Sequence, residues 1–400
     1  MMMKVPELSL LKNTDFVSSC EQFIQTRRAI HAHPELGAEV PNTAKMVADL
    51  LNEWGYETHT GIGGHGVVGV LKQGNSERSI GIRADMDALP IEEETGLPYA
   101  SKIHGRMHAC GHDGHTAILL AAAHYLAKNV SFDGTINLIF QPDEEGLSGA
   151  KAMIDDGLFD RFPCDAVFAL HNMPGKEVGQ AAVRSGAFLA SSDRVTIRLT
   201  GKGGHAALPH LSNDVTIAIG HIILGLQSIV SRNINPCDQS VISIGQINAG
   251  TTPNVIPNDA MMTLSVRNFS EANQDLIEQR IREVVAGQCQ ALGIEGEVEY
   301  LRQVPSVFNA AEETLRARKV VKAVLGEENV AGDEAPVIPG SEDFAWMLKE
   351  RPGCYFILAN GLGEWHGCSV HNPGYDFNDQ LVTIGAACWV ELVSEYLTTP

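Results

Sequence analysis

The sequence predicts an α/β protein with a mainly parallel sheet, interrupted by a ferredoxin-like βαββαβ domain. Three observations predict it. Four apolar runs each end on, or lead toward, a residue able to bind a metal or carry a proton, and helical patterns lie between several of them. The middle of the chain instead alternates apolar and polar residues, as half-exposed strands do. At 400 residues the chain exceeds one small core, so two domains are expected.

Residues 16–30 have the spacing of an amphipathic helix that runs into Arg27-Arg28-Ala29-Ile30-His31-Ala32-His33-Pro34-Glu35. Pro34 disfavours helical backbone at His33 and stops the helix there. His31 and His33 read as structural residues, with a role at a substrate as the alternative. A second helix is expected over 43–54, with Met46, Val47, Leu50 and Leu51 apolar. Residues 66–71 form a short strand before a turn at Gly74-Asn75-Ser76.

The four apolar runs follow. Residues 79–84 end at Asp85-Met86-Asp87, 135–140 at Gln141-Pro142-Asp143-Glu144-Glu145-Gly146, and 166–170 at His171-Asn172. Residues 355–359 lead toward His366 and His371. Helices are expected at 114–127 and 149–158. Parallel sheets gather their sites at the carboxyl ends of strands, and the polar clusters sit where that rule requires. Further on, strands at 194–199, 240–247, 261–267 and 297–301 and helices at 214–230 and 271–292 give the order β-α-β-β-α-β, the split βαβ unit of ferredoxin-like domains. Gly293 is the expected end of the second of these helices. The expected division is therefore 1–186 for a first part of a catalytic domain, 187–303 for an inserted domain, and 304–400 for the completion of the first.

Hydrophobic content of 44% and charged content of 20% are those of a soluble globular protein. The balance of 29 basic against 49 acidic residues gives a net charge of −20, which disfavours nucleic acid and anionic membranes as partners. Eight cysteines without framework spacing suggest reduced thiols and a cytoplasmic location. Residues 1–7 contain no apolar signal core, and no apolar run approaches the roughly 18–20 residues of a membrane span.

Met107-His108-Ala109-Cys110-Gly111-His112-Asp113-Gly114-His115 packs three histidines, a cysteine and an aspartate into a glycine-spaced turn. Thiolate and imidazole together suit a borderline-soft divalent ion such as zinc; a buried cysteine ringed by surface histidines is the alternative. The candidate ligands are Cys110, His112, Glu145, His171 and His371. Five exceed what one catalytic ion needs, since such a site keeps a position open. Two ions sharing Cys110 as a bridge account for the number better. Glu144 and Glu145 need separate roles: adjacent residues of an extended chain point to opposite sides, so one can bind metal while its neighbour moves a proton. Asp87 and Asp113 are expected to orient ligand imidazoles, with helix capping as the alternative for Asp113. Gly201 to Pro209 is a glycine-rich loop that presents His205 and lacks the Gly-Lys-Ser/Thr ending of a phosphate loop. His205 as an oxyanion donor fits hydrolysis better. Asn254 and Arg267 could grip a substrate carboxylate.

These residues resemble the M20 metallopeptidases, in particular the aminoacylase, hippurate hydrolase and auxin-conjugate hydrolase branch. The resemblance spans almost the whole chain. It rests on residues 83–90, 107–115, 140–146, 169–172, 201–209, 254–257, 339–344 and 370–373, with Phe140-Gln141-Pro142-Asp143-Glu144-Glu145-Gly146 and Val370-His371-Asn372-Pro373 among them. It implies a metallo-exopeptidase-like catalytic domain, two divalent ions per subunit held by Cys110, His112, Glu145, His171 and His371, and Glu144 as general base and acid. It implies that His205 steadies the tetrahedral oxyanion, often from a partner subunit, and that Asn254, Arg267 and Gly340 contact substrate. It implies that the inserted domain is a lid or dimerisation domain, and hence a homodimer or homotetramer. The sequence departs from the wider family where Asp85-Met86-Asp87 replaces His-x-Asp and where Cys110 replaces an aspartate bridge. Both departures fit the aminoacylase-like branch.

The expected function is therefore hydrolysis of the amide bond of small N-acyl amino acids, hippurate-like or N-acetylated, to a carboxylate and an amino acid. Zinc is the first expectation for the ions, with manganese, nickel or cobalt as alternatives. The runners-up are an N-acetyl-diaminopimelate deacetylase or a dipeptidase and, from another class, a metal-binding protein that has lost catalysis; the presence of Glu144 speaks against the last.

Overall fold

The computed structural model describes Pro6 and residues 9–397. The expectation about the first seven residues falls, apart from Pro6, outside the described residues. The chain divides into two compact units: the first runs to Gly186 and resumes over Phe308–Pro336 and from Asp343, while the second is Ala187–Val307 with Val337–Glu342. The brief return at Val337–Glu342 left no trace in the sequence pattern.

The first unit opens with α1 (Thr14–His31), whose Asn13 cap accepts from the amides of Asp15 and Phe16. Then come α2 (Pro41–Glu53), β1 (Glu57–Ile62), β2 (Gly66–Gln73), β3 (Ser79–Asp85), α3 (His112–Asn129), β4 (Gly134–Gln141), α4 (Gly149–Asp155), α5 (Leu158–Arg161), β5 (Ala166–Pro174) and β6 (Ala181–Ala182). Among the described residues the sheet has eight strands. Its remaining strands follow the second unit in the chain.

The second unit is built from β7 (Ser192–Thr200), α6 (Val215–Asn233), β8 (Ser240–Ala249), β9 (Asp259–Asn268), α7 (Glu271–Leu292) and β10 (Glu295–Val304). Its antiparallel sheet has the order β8-β9-β7-β10. That is the ferredoxin-like βαββαβ arrangement. Gly293 ends α7 in the left-handed region at φ 64, as expected.

The chain then returns to the first unit with α8 (Ala311–Leu325), β11 (Val330–Ala331), α9 (Phe344–Glu350), β12 (Gly353–Gly361) and α10 (Gln380–Leu397). The sheet order is β1-β2-β4-β3-β5-β12-β6-β11. The core strands β4, β3, β5 and β12 are parallel, while β1, β2 and the contact of β6 with β12 are antiparallel.

Strand alternation sorts the two faces. Ile80, Ile82 and Ala84 of β3, and Phe168 and Leu170 of β5, join the main core with α1, α3, α8 and α10. The intervening Arg83, Asp85 and His171 therefore face the other way. Helix α3 is apolar on nearly every side because it is enclosed by α1, α10 and the sheet.

Helix α6 is long and apolar enough, by length and composition, to cross a membrane, with a mean hydropathy of 1.4. His221 and Gln227 interrupt the apolar run in the sequence. In the fold its Val215, Ala218, Ile222, Leu226 and Ile229 pack into the core of the second unit.

Gly114, in the first turn of α3, has a packing reason: a Cβ there would overlap the buried ring of Phe377. Alanine is the better helix former by about 1 kcal/mol. Even so, Gly114→Ala is expected to destabilise the protein by about 1–3 kcal/mol through overpacking. Urea unfolding checks this; a gain in stability would refute the packing account.

Candidate metal centre and active site

Parallel pairing delivers the polar residues to one edge of the first unit. Asp85 at the end of β3 lies beside Gln141 at the end of β4, and His171 of β5 lies beside Ile357 of β12. Cys110 and His112 come from the turn that enters α3. Gly111 between them sits at φ 96, where glycine pays no Cβ penalty, and a Cβ would also overlap Asn172 and the Tyr375 hydroxyl.

The turn lets two residues that share no helix face meet in one cluster. Cys110 Sγ is 3.3 Å from His171 Nε2. The ligand atoms of Cys110, His112 and His171 lie within 4.8 Å of one another, as do those of Cys110, Glu145 and His371. Cys110 is thus common to two three-residue donor groups. His371 Nε2 is 3.4 Å from Glu145 Oε1, and its backbone is held at φ 61, uncommon for a residue with a side chain. Its amide is tied to the Ala109 carbonyl at 2.8 Å, which brings the C-terminal loop against the Cys110 turn.

Asp87 organises the opposite side. Its Oδ1 accepts from the Glu144 amide at 3.1 Å, its Oδ2 accepts from the Glu145 amide at 3.0 Å, and His112 Nδ1 lies 3.3 Å from Oδ1. Donation through Nδ1 leaves the Nε2 lone pair of His112 free to coordinate. Three carboxylates converge on that nitrogen: Asp85 Oδ2 at 3.8 Å, and Glu144 Oε2 and Glu145 Oε1 each at 3.9 Å. This corrects the expectation of an extended dyad. Asp143 at φ 57 and Leu147 at φ 56 fold residues 143–147 into a turn, so the two side chains do not diverge as they would on a strand.

The residues fit divalent ions. Among the described residues, His112 Nε2 and Glu145 Oε1 are buried with no hydrogen-bond partner, a costly state unless something else satisfies them. Thiol, imidazole and carboxylate are the donor types that zinc accepts. Burial, and then the Glu145 charge, push the Cys110 thiol well above its ordinary value. Burial alone would lower His112, but Asp85 and Cys110 hold its proton well above the usual imidazole range. His171 is pushed the other way, first by burial and then by His115, and stays a neutral ring. Burial opposes the charge on Glu145, yet His371 and His112 lower its pKa.

The structure also brings in Arg83, Gln141 and Asp343, which the sequence did not single out for a role, and His115, expected only to support the Cys110 loop and its helix. His115 Nδ1 meets Asp85 Oδ1 at 2.7 Å, and its Nε2 meets Asn172 Oδ1 at 2.8 Å. Arg83 pairs with Asp85 at 2.7 Å and with Asp343 at 3.3 Å. Asp343 in turn accepts from Gln141 at 2.7 Å and from the Ala150 amide at 2.8 Å. The signal available was the i, i+3 spacing of His112 and His115, which share a helix face. Asp113 bonds to Arg27 and His31 of α1, not to a candidate ligand ring.

His205, Asn254, Arg267 and Gly340 belong to the second unit. Residues Gly204-His205 pair with Val255-Ile256, and the Ala206 amide donates to the Asn254 carbonyl, so His205 and Asn254 are neighbours. His205 is exposed, and its Nδ1 accepts from the Ala207 amide at 3.0 Å. That bond puts the ring proton on Nε2. Half-buried Arg267 donates to Ser341 Oγ at 2.7 Å, next to Gly340, whose carbonyl accepts from the Ala190 amide.

The family model described as peptidase family M20/M25/M40 matches residues 81–395. A hippurate hydrolase of Campylobacter jejuni is 44% identical over 376 residues, covering 94% of this chain and 97% of its own. An N-acetylcysteine deacetylase of Bacillus subtilis is 37% identical over 386 residues, covering 94% and 97%. A solved dinuclear metal-binding peptidase of the M20 family from Bacillus subtilis superposes with a TM-score of 0.82 at 32% identity, covering 94% of this chain and 98% of its own.

Cys110 and His112 both hold protons in the metal-free chain, so an ion that uses them must displace those protons. Affinity is therefore expected to fall as pH is lowered, by about 1.4 kcal/mol per pH unit for each proton released. Calorimetric metal titration in buffers of different ionisation enthalpy measures the release; heats that do not depend on the buffer would contradict it.

Proposed function

The chain belongs to peptidase family M20/M25/M40 and is a metal-dependent amidohydrolase of N-acyl amino acids; from that premise we propose how its residues divide the work. The observation that carries the proposal is the sharing of Cys110 between the group with His112 and His171 and the group with Glu145 and His371. Two ions would occupy these groups, with Cys110 bridging them. Zinc is the first choice for this donor set, and manganese, nickel or cobalt would also be accepted.

Such ions would supply Lewis acidity to the scissile carbonyl and to the attacking water. The protein does the rest. Glu144 takes the proton of that water and hands it to the leaving amine, a shuttle suited to a carboxylate whose backbone Asp87 fixes. Asp87 also holds the His112 ring through Nδ1. His205, with its proton on Nε2, donates to the oxyanion that forms at the carbonyl. Arg267, Asn254 and the backbone at Gly340 hold the carboxylate of the amino-acid half, Arg267 through its guanidinium. Asp113 acts at one remove, through α1.

Hippurate-like N-aroyl and N-acetyl amino acids are the proposed substrates, in keeping with the names of the two curated relatives. The second unit, Ala187–Val307 with Val337–Glu342, serves as a lid and as the interface of a homodimer, or of a homotetramer built from it. Support comes from exposed Ile217 and Leu224 on α6 and from exposed Val241 and Ile247 on β8, an edge strand of its sheet. A cytoplasmic location is supported by the eight cysteines, all of them unpaired.

Glu144→Gln is expected to abolish nearly all hydrolysis of N-benzoyl-glycine with metal content unchanged by elemental analysis; retained activity would remove the shuttle role. Cys110→Ala is expected to lose metal, and two tightly bound ions in that variant would refute the bridge. His205→Ala is expected to lower kcat by about 10²–10³-fold, the cost of one oxyanion donor. A panel of N-acyl amino acids and dipeptides, assayed after loading with each metal, tests the substrate class; preference for dipeptides would overturn it.

A further inference from the structure

The segment Arg27-Arg28-Ala29-Ile30-His31 has no part in the reaction above, yet two of its residues are buried beside the site. Arg27 and His31, near the end of α1, are both 0% exposed. His31 Nδ1 lies 2.9 Å from Asp113 Oδ2, and Arg27 Nη1 donates to the same oxygen at 3.3 Å. Each is itself held from behind. His31 Nε2 lies 3.3 Å from Glu93 Oε2. Arg27 bonds to Asp379 through Nε at 3.0 Å, reaches Asp376 at 3.6 Å, and stacks 4.5 Å over the Tyr99 ring.

Asp113 is the second residue of α3 and directly follows His112. Helix α3 starts on Gly111, whose position offers no side-chain cap among the described residues. Its first turn is held instead by side chains from outside the helix. The contact joins a guanidinium and an imidazole to one carboxylate, with all three side chains buried. Apolar residues of similar volume would join α1 to α3 without the desolvation cost of buried ions, so stability alone gives this arrangement no advantage. A rigid bond to one carboxylate does give direction.

We infer that Arg27 and His31 are positioning residues for metal binding: by gripping Asp113 from α1 they hold the first turn of α3, and with it the ring of His112 and the thiol of Cys110 against His171. Asp87 orients the His112 ring through Nδ1, and the α1 grip fixes the backbone that carries it. The group formed by Cys110, His112 and His171 depends on this grip directly. The group completed by Glu145 and His371 depends on it only through Cys110. The inference rests on the ligand set proposed above.

The test titrates a chelator into zinc-loaded protein and follows zinc per chain by elemental analysis. His31→Leu is expected to lose one of two ions at about tenfold lower chelator concentration than wild type, the cost typical of partners behind a metal ligand. The KM of the fraction still loaded should not change. His31→Asn, whose amide nitrogen can replace Nδ1, should restore most of the affinity. Asp113→Asn, which keeps size and loses charge, should shift the same ion in the same direction and decides the matter if His31→Leu does not fold. Wild-type retention of both ions in folded His31→Leu or in Asp113→Asn overturns the inference and leaves the ligand set standing. Equal loss of both ions with a lowered melting temperature and no rescue by His31→Asn overturns it too, as a purely structural effect. Wild-type protein that does not bind two ions would overturn the ligand set, and this inference with it.

Discussion

One buried carboxylate carries much of the organisation of this site. Asp87 accepts from two consecutive backbone amides and from one imidazole, so a single group fixes the turn that bears Glu144 and Glu145 and the ring of His112. Three acceptor contacts compensate a charge that burial disfavours; burial still raises the pKa of Asp87, against the pull of His112. The geometric result is that, among the described residues, the outward nitrogen of His112 and an oxygen of Glu145 are left without hydrogen-bond partners. Buried polar atoms are rarely left so in a finished fold. That is what a metal centre looks like from the protein's side.

The same economy governs the charges behind it. Arg83 and Arg27 are both buried among carboxylates: Arg83 beside Asp85 of its own strand and Asp343 from far along the chain, Arg27 beside Asp113, Asp376 and Asp379. Removing one partner of such a cluster leaves an uncompensated charge, which costs more than the pair contributes. These clusters tie α1, α3, α9 and the loop before α10 to the strand ends that carry the chemistry. The C-terminal return of the chain is therefore part of the site and more than a cover for the sheet, since it supplies His371 and the Asp343 bond to Gln141.

The second unit has its own logic. Its antiparallel sheet is covered by α6 and α7, while β8 remains an edge. His205 is presented on a two-residue ribbon next to Asn254, with its tautomer set by a neighbouring amide. The membrane-like composition of α6 follows from this packing. This helix buries one face in a core and keeps apolar residues such as Ile217 and Leu224 on another, so it is apolar along most of its length.

The sequence by itself determined the local and periodic features. Strand runs that end on polar residues, the βαββαβ order, the cap at Gly293 and the donor types at Cys110, His112, Glu145, His171 and His371 were all legible, because period and residue chemistry are local properties. Tertiary structure decided which donors meet. That Cys110 serves two groups, that Asp87 binds both the His112 ring and the dyad's backbone, and that Asp113 faces α1 depends on strand register and on left-handed residues at Gly111, Asp143 and His371. The sequence suggested Glu144 and Glu145 diverging on an extended chain; the turn makes them converge on His112 Nε2. Neighbours in the chain are set by covalent bonds, but neighbours in the site are set by where parallel strands end, and no local pattern encodes that distance.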